Sequence, residues 1–398
     1  MRSIPKGVVA LGLVSLFMDV SSEMIHALLP LFLTGTLGAT ALAVGLIEGL
    51  GEATAQIVKV FSGAWSDRIG RRKPLLLLGY GLAAATKPLF ALAGSAGMVL
   101  SARVADRVGK GIRGAPRDAL IADLVPEAGR GAAYGLRQSL DTVGAFVGPL
   151  LAIALMWGSG GNIRLVFAVA ALPALIALAV LWRGVVEPAR SAAGPPPDLG
   201  NGPAPVPSPR RAVFDRAVIA ALGPAFWQVT GFGAILAVAR ISEAFLILRA
   251  VEAGLGAAWA PAVFVVLNMV YAAVAWPVGA LSDRIGRAGL FRLSILVLAA
   301  AHGILALPAG VPAAFAGIAL WGLHMGLSQG LLSAAVARTA PEGGRGTAFG
   351  IFNLALGLAT LGANALAGAL WVVGGPGLAF AVAGGAALGA LALAPARA

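Results

Sequence analysis

Three titratable residues near the start of the chain, Asp19, Glu23 and His26, follow one another at spacings of four and three in an otherwise apolar run. At 3.6 residues per helical turn they share one face. Ionisable groups inside a membrane segment are costly and usually face a cavity or a partner. Two chemistries suit this stripe. The carboxylates could exchange protons or contact a cation, or the stripe could be a packing contact satisfied by Ser21, Ser22 or a neighbouring arginine. Glu48 and Glu52 repeat the spacing, with Gln56 and Lys59 following. They are either a proton relay or counter-ions to a third set, Arg103, Asp106, Arg107, Lys110 and Arg117, which form one broad face of a later segment. That face could hold an anionic part of a substrate. It could equally hold the carboxylates of Asp19, Glu23, Glu48, Glu52 and Asp141. The two signs nearly balance, so neutrality does not require a ligand.

Other chemistries are excluded. The chain has no cysteine, which removes disulfides, thiolate nucleophiles and cysteine metal sites. Its three histidines are scattered without paired spacing, so no metal is expected. Gly109-Lys-Gly-Ile-Arg-Gly114 has the form of a nucleotide-binding loop, but no strand precedes it. No Ser/His/Asp set stands at plausible spacing, so an enzyme is not expected, and no cofactor is implied.

The elements that carry these residues follow from composition. Of 398 residues 59% are hydrophobic and 12% charged, where a soluble chain carries about a quarter charged. The mean hydropathy is +0.89, which marks a multi-pass membrane protein in contact with lipid. The net charge of +12 reflects basic residues at span ends rather than nucleic-acid binding. The first run contains Asp19 and Glu23 and lacks a small-x-small cleavage site, so it reads as a retained span. With about 20 residues needed per crossing, spans are placed at 7–34, 41–66, 74–94, 97–124, 131–157 and 162–183. A second set is placed at 217–249, 257–281, 289–308, 311–338, 346–370 and 375–394. The turns at 35–40, 94–97 and 309–312 carry no charge, whereas 67–73, 127–137, 283–292 and 338–345 are rich in Arg or Lys. Basic loops stay in the cytoplasm, so both termini are expected there, in an inner membrane. The charged fourth segment is kept as a span because the loops on either side must lie on one side, and because its mate at 311–338 is apolar.

The chain repeats itself. Gly63-Ala-Trp-Ser-Asp67-Arg68-Ile-Gly70-Arg71-Arg72 recurs as Gly279-Ala-Leu-Ser-Asp283-Arg284-Ile-Gly286-Arg287, an offset of 216 residues. Pro126 to Gly135 recurs as Pro341 to Gly350 at an offset of 215. Two motifs at nearly one offset define two parallel copies of one unit. The copies are 1–183 and 216–398, each an all-α bundle of six helices. Between them, 184–215 is a Pro/Gly-rich cytoplasmic tether.

Twelve spans in two parallel halves, with a basic linker, resemble the major facilitator superfamily of secondary transporters. The repeated Gly63–Arg72 and Gly279–Arg287 stretches are similar to its loop motif between the second and third spans. Arg107 with Gly111 resembles its fourth-span motif. Gly144-x-x-x-Gly148-Pro149 resembles the fifth-span motif of proton-driven exporters, although Leu150 and Leu151 stand where further glycines are usual. The resemblance implies a cavity lined by the first, fourth, seventh and tenth spans and open alternately to each side. It ties Arg107 to proton coupling. It gives Asp67 and Asp283 a gating role on a helix end and a basic residue, which the favourable field of a helix N-terminus supports.

The halves have diverged. The tenth span carries Trp321, His324 and Gln329 where the fourth carries charges. On the seventh, Arg240 and Glu243 could pair, or Glu243 could face the cavity opposite Glu23. Gln138 and Asn353 occupy matching places on the fifth and eleventh spans and suit substrate hydrogen bonding or a gate contact. His302 reads as packing. The expected function is proton-coupled transport of a small organic solute by a monomer, leaning to proton-antiport export. The alternatives are symport import of an organic anion or metal-chelating metabolite, a non-transporting sensor, and a membrane-embedded enzyme.

Overall fold

The computed structural model describes residues 4–69, 71–187, 216–328, 331–341 and 344–393. The side chains of 64, 67, 128, 217, 275–277, 279–287, 331, 333, 334, 392 and 393 lie outside that description. Almost all of the described chain is helix, as hydrocarbon demands: with no water to bond, each backbone N–H and C=O must be satisfied within the segment.

The first span is Lys6–His26, continued by Leu29–Leu31 and Phe32–Thr36. Ala41–Ile69 and Lys73–Leu92 form the second and third. The fourth, Ala96–Leu124, is one helix despite its charges, started by Ser95, whose hydroxyl accepts from the Met98 amide. Arg130–Gly158 is the fifth, and Ile163–Val169 with Ala171–Gly184 is the sixth. The seventh is broken: Pro224–Ala239 stops, and Glu243–Glu252 restarts after Ser242, which caps the Ala244 amide.

Two helical stretches each hold two crossings. Within Ala262–Ala306, Val274 packs on Gly326, while the Ser294 carbonyl accepts from His324. A straight helix would put about 30 Å between positions 274 and 294. Both reach tenth-span residues two apart, so the chain doubles back, giving the eighth and ninth spans. Arg345–Leu393 is interrupted at Gly375, whose φ of 74° a side chain would resist, and Pro376 begins the twelfth span beyond it. Val311–Ser328 and Leu331–Thr339 form the tenth. All twelve expected spans are therefore present. Most of the tether, 188–215, lies outside the described residues.

The halves meet closely on the side of the uncharged turns. Gly45 leaves no room for a Cβ against the Asn364 backbone, and a Cβ on Gly368 would stand 2.6 Å from the Ala41 oxygen. Asn268 donates to the Ala145 carbonyl at 3.1 Å, and Trp157 meets Trp259 edge to face at 5.8 Å. Towards the basic loops the second span opens. Its Glu48 side chain is 4% exposed, its Glu52 36%, and Lys59 is exposed.

Candidate functional site

A cavity of about 480 Å³ lies between the halves, at the breaks of the first and seventh spans. Both halves line it. Glu23, His26, Glu48, Glu52, Lys110 and Glu243, all singled out by the sequence, face it. So do Arg240, Trp321, Asn268, Phe264, Thr360 and Asn364.

The N-terminal wall is a network of paired charges. Arg103 contacts Glu48 at 2.6 Å, and Arg107 contacts Glu52 at 3.0 Å. Both arginines also point at Nε2 of His26, Arg107 at 2.8 Å. Arginine only donates, so Nε2 must accept and the ring proton sits on Nδ1, 3.8 Å from Glu23 Oε1. Behind this layer Asp106 pairs with Lys87 at 2.9 Å, and Lys87 also donates to Ser22 at 3.2 Å. Arg103, Asp106 and Arg107 are buried behind the carboxylates and do not line the cavity. Glu48 and Glu52 thus stand against arginines of the fourth span. A buried charge without a partner is far more costly than a paired one.

Asp19 and Glu23 have a different setting. Neither is in an ion pair with Lys or Arg among the described residues. Both lie against the fifth-span motif. A Cβ on Gly144 would come within 2.6 Å of the Leu16 oxygen and 3.0 Å of Asp19 Cβ. One on Gly148 would meet Glu23 Cβ and the Val20 oxygen, each at 2.8 Å. These glycines let the fifth span seat directly on the carboxylate stripe. Ser21, offered as a partner for that stripe, donates instead to the Ala170 carbonyl at 2.6 Å, at the break of the sixth span.

The C-terminal wall carries fewer charges. Arg240, at the end of the first helical piece of the seventh span, donates to His324 Nε2 at 2.8 Å and to Ser328. His324 Nδ1 then donates to the Ser294 carbonyl at 2.7 Å. His324 is fully buried behind the wall and does not line the cavity. Arg240 and Glu243 do not pair; Glu243 faces the cavity from the first turn of the restarted helix, where the helix N-terminus favours a carboxylate. Asn364 accepts from the Ser242 amide at 2.7 Å and so fixes the break.

Several expected residues lie elsewhere. Asp141 pairs with Arg137 at 2.9 Å, and Gln138 accepts from Arg137 at 2.6 Å, both nearer the basic loops. Asn353 is half-buried and outside the cavity lining. His302 is fully buried, with Nε2 2.8 Å from the Ala239 carbonyl, as packing requires. In the loop motif, Arg72 pairs with Asp123 at 3.2 Å. The Arg72 and Lys73 amides donate to Glu187 at 2.5 and 3.2 Å. That carboxylate caps the third span, and nothing in the spacing around Glu187 announced it. A Cβ on Gly63 would stand 3.6 Å from Ala115 Cβ. Gly70 and the side chains of Asp67, Asp283, Arg284 and Arg287, with Gly279 and Gly286 among them, lie outside the described residues.

Lys87, Asn268, Thr360 and Asn364 were missed. Each is a polar residue in a largely apolar span, Thr360 and Asn364 on the same one, and that contrast was the available signal.

A family model described as Major Facilitator Superfamily matches residues 11–364. An uncharacterized protein of Mycobacterium tuberculosis is 33% identical over 92% of this chain and 86% of its own length. An uncharacterized MFS-type transporter of Methanocaldococcus jannaschii is 30% identical over 94% of this chain and 90% of its own. The multidrug resistance protein MdtH of Yersinia pestis matches over 115 residues, 29% of this chain and 28% of its own, at 35% identity. The solved structure of the nucleoside transporter NupG superposes with a TM-score of 0.80 over 97% of this chain and 98% of that one, at 12% identity. A POT family transporter in complex with 5-aminolevulinic acid gives 0.79 over 98% and 95%, at 14% identity. With its twelve spans, its two repeated halves and the cavity between them, the chain belongs to the major facilitator superfamily of secondary transporters.

Proposed function

We propose that the chain exports a small organic solute across the inner membrane in exchange for protons, with Asp19 and Glu23 as the proton-carrying groups and both termini in the cytoplasm. One observation carries this reading. Glu48, Glu52 and Asp106 are each committed to an arginine or lysine, whereas Asp19 and Glu23 are not. A carboxylate locked to a cation keeps its charge, and one without such a partner is free to change it. Arg107 acts here by holding Glu52 and His26 in place beside Glu23. Export is supported by the seating of Gly144 and Gly148 on the same two carboxylates and by the partial likeness to a multidrug resistance protein. The halves rock about the cavity, and the loop motif governs the switch.

Purified protein in liposomes with an internal pH dye tests the proposal under imposed gradients of cationic, neutral and anionic metabolites. Proton movement opposite to the solute is expected, falling at least about tenfold in Glu23→Gln and in Asp19→Asn. Unchanged movement in both variants would remove the two carboxylates from the mechanism. Movement with the solute would replace export by import, and silence across the panel would overturn proton coupling.

A further inference from the structure

The strongly basic fourth span is the natural place to look for an anion site, yet three of its charges are already paired. Arg103 holds Glu48, Arg107 holds Glu52, and Asp106 holds Lys87. The other wall has the opposite character. Arg240 lines the cavity, and its described hydrogen bonds go to two neutral acceptors, His324 and Ser328. Among the described residues no carboxylate lies within ion-pairing distance of it. One turn before His324 on the tenth span stands Trp321, its ring 6.4 Å from the histidine ring. Trp321 is 2% exposed and lines the cavity, and its buried indole N–H has no hydrogen-bond acceptor among the described residues.

These are two independent deficits on one wall among the described residues: a guanidinium without a paired carboxylate, and a buried N–H without an acceptor. Buried donors are nearly always satisfied, and leaving one unpaired is costly. A guanidinium and an indole N–H share one chemical preference, since neither can accept. Lys110 adds a third cation on the facing wall, also outside any ion pair among the described residues. Glu243 does not neutralise the site by contact, because it forms no ion pair with Arg240 and sits in the favourable field of the helix that it starts.

We infer that the transported solute carries an oxyanion, a carboxylate or a phosphate-like group, which Arg240 and Trp321 of the C-terminal half bind. This rests on the reading that the cavity holds the transported solute, but not on proton coupling or direction. Aromatic and aliphatic neighbours, Phe264, Leu267 and Met325, receive the remainder of the molecule.

The test is equilibrium binding to the full-length protein in detergent, in chloride buffer without a pH gradient. Benzoate and phenylphosphonate are the oxyanion probes, and benzamide and benzylammonium are controls of matching shape. Stabilisation against thermal unfolding as a function of probe concentration reports affinity. Benzoate or phenylphosphonate should stabilise the wild type saturably at millimolar concentration, and the controls should not. Trp321→Phe keeps the ring and removes the donor, and should weaken oxyanion binding about tenfold, the loss of one hydrogen bond to a charged acceptor. Arg240→Gln should abolish binding, and Arg240→Lys should retain part of it, which separates lost charge from lost folding. The inference is overturned if neither oxyanion stabilises the wild type, if benzylammonium or benzamide binds as well, or if Trp321→Phe and Arg240→Gln bind like the wild type. Loss of proton coupling with these results intact would overturn the export proposal and leave this one standing.

Discussion

The two walls of the cavity are built from corresponding positions of the repeat. Glu23 and His26 match Arg240 and Glu243 at an offset of 217; Glu48 and Glu52 match Phe264 and Asn268 at 216; Lys110 and Ala145 match Met325 and Thr360 at 215. All of these residues line the cavity. The repeated backbone therefore puts the same positions at the centre of each half, while the chemistry placed there differs. The N-terminal half keeps dense charge and neutralises most of it internally. The C-terminal half has largely replaced charge with Phe264, Met325 and amide or hydroxyl groups, and it keeps a guanidinium that pairs with no carboxylate among the described residues. Such a division suits the two proposals: a self-neutralised wall can lend a few unpaired carboxylates to protons, and a sparsely charged wall can recognise a solute.

The sharpest way to break the comparison is to unpair one side. Glu48→Ala leaves Arg103 buried at 3% exposure without its 2.6 Å partner. Removing one member of a buried pair costs about 3–5 kcal/mol, so the variant should unfold at much lower temperature in detergent. Replacing both members, as Glu48→Leu with Arg103→Leu, should recover most of that loss, because an apolar pair needs no compensation. At the matching position, Phe264→Leu keeps an apolar group in place and should cost less than about 1.5 kcal/mol. Equal stability losses in Glu48→Ala and Phe264→Leu would mean that charge pairing does not hold the N-terminal wall.

A second contrast concerns the close seating of the fifth span. Gly148 has the Val20 oxygen and Glu23 Cβ where its own Cβ would be, each at 2.8 Å. Its counterpart in the eleventh span is Ala363, and that of Gly144 is Ala359. Gly148→Ala should therefore force the first and fifth spans apart and cost about 1–3 kcal/mol, the range for overpacking. Ala363→Gly removes a methyl group from a helix that already accommodates it, and should cost about 0.5–1 kcal/mol. Thermal unfolding of the two variants checks the ranking. A Gly148→Ala protein as stable as Ala363→Gly would show that the motif does not set the spacing of the spans.

Much of this architecture was legible before any coordinates, for a physical reason. Hydrocarbon forces most spans to announce themselves by length and apolarity, the charged fourth span followed from its flanking loops and its repeat mate, and the offset shared by Gly63–Arg72 and Pro126–Gly135 exposes the repeat. The cavity was half legible. Charges in apolar runs had to face inward, so Glu23, His26, Glu48, Glu52, Lys110 and Glu243 were found by type alone. Pairing was not legible, because it depends on which faces of the second, third and fourth spans meet. Lys87 is the clearest example: one lysine in an apolar third span, it stands against Asp106 only once the helices are packed. His324 failed in the opposite sense. Its type suggested the cavity, but its ring is spent joining the Ser294 carbonyl to Arg240. Asn364 was hidden because an asparagine in an apolar span looks like packing until its polar atoms are located, and Trp321 was named without a role for its N–H.

The smallest of these effects concerns the broken spans themselves. In the first span the interruption is closed by local backbone bonds, Ala27 to the Glu23 carbonyl at 3.1 Å and Leu28 to the Ile25 carbonyl at 3.0 Å. In the seventh span the Arg240 amide still reaches the Leu236 carbonyl at 3.0 Å, but the Ser242 amide depends on the Asn364 side chain of the eleventh span, at 2.7 Å. The residue corresponding to Asn364 in the N-terminal half is Pro149, which offers no such acceptor on its side chain. One break is therefore self-contained and the other is held from outside. Asn364→Ala should cost only about 1 kcal/mol, the net worth of one hydrogen bond, and it should leave overall unfolding nearly unchanged. Its effect should be local. Amide hydrogen exchange should quicken across 240–246 and stay unaltered across 26–31. Since Arg240 borders the loosened segment, benzoate affinity should fall by less than the loss in Trp321→Phe, in which the donor itself is gone. Unchanged exchange at 240–246 would mean that the seventh-span break is as self-sufficient as the first, and the two halves would then differ in chemistry but not in how their helices are interrupted.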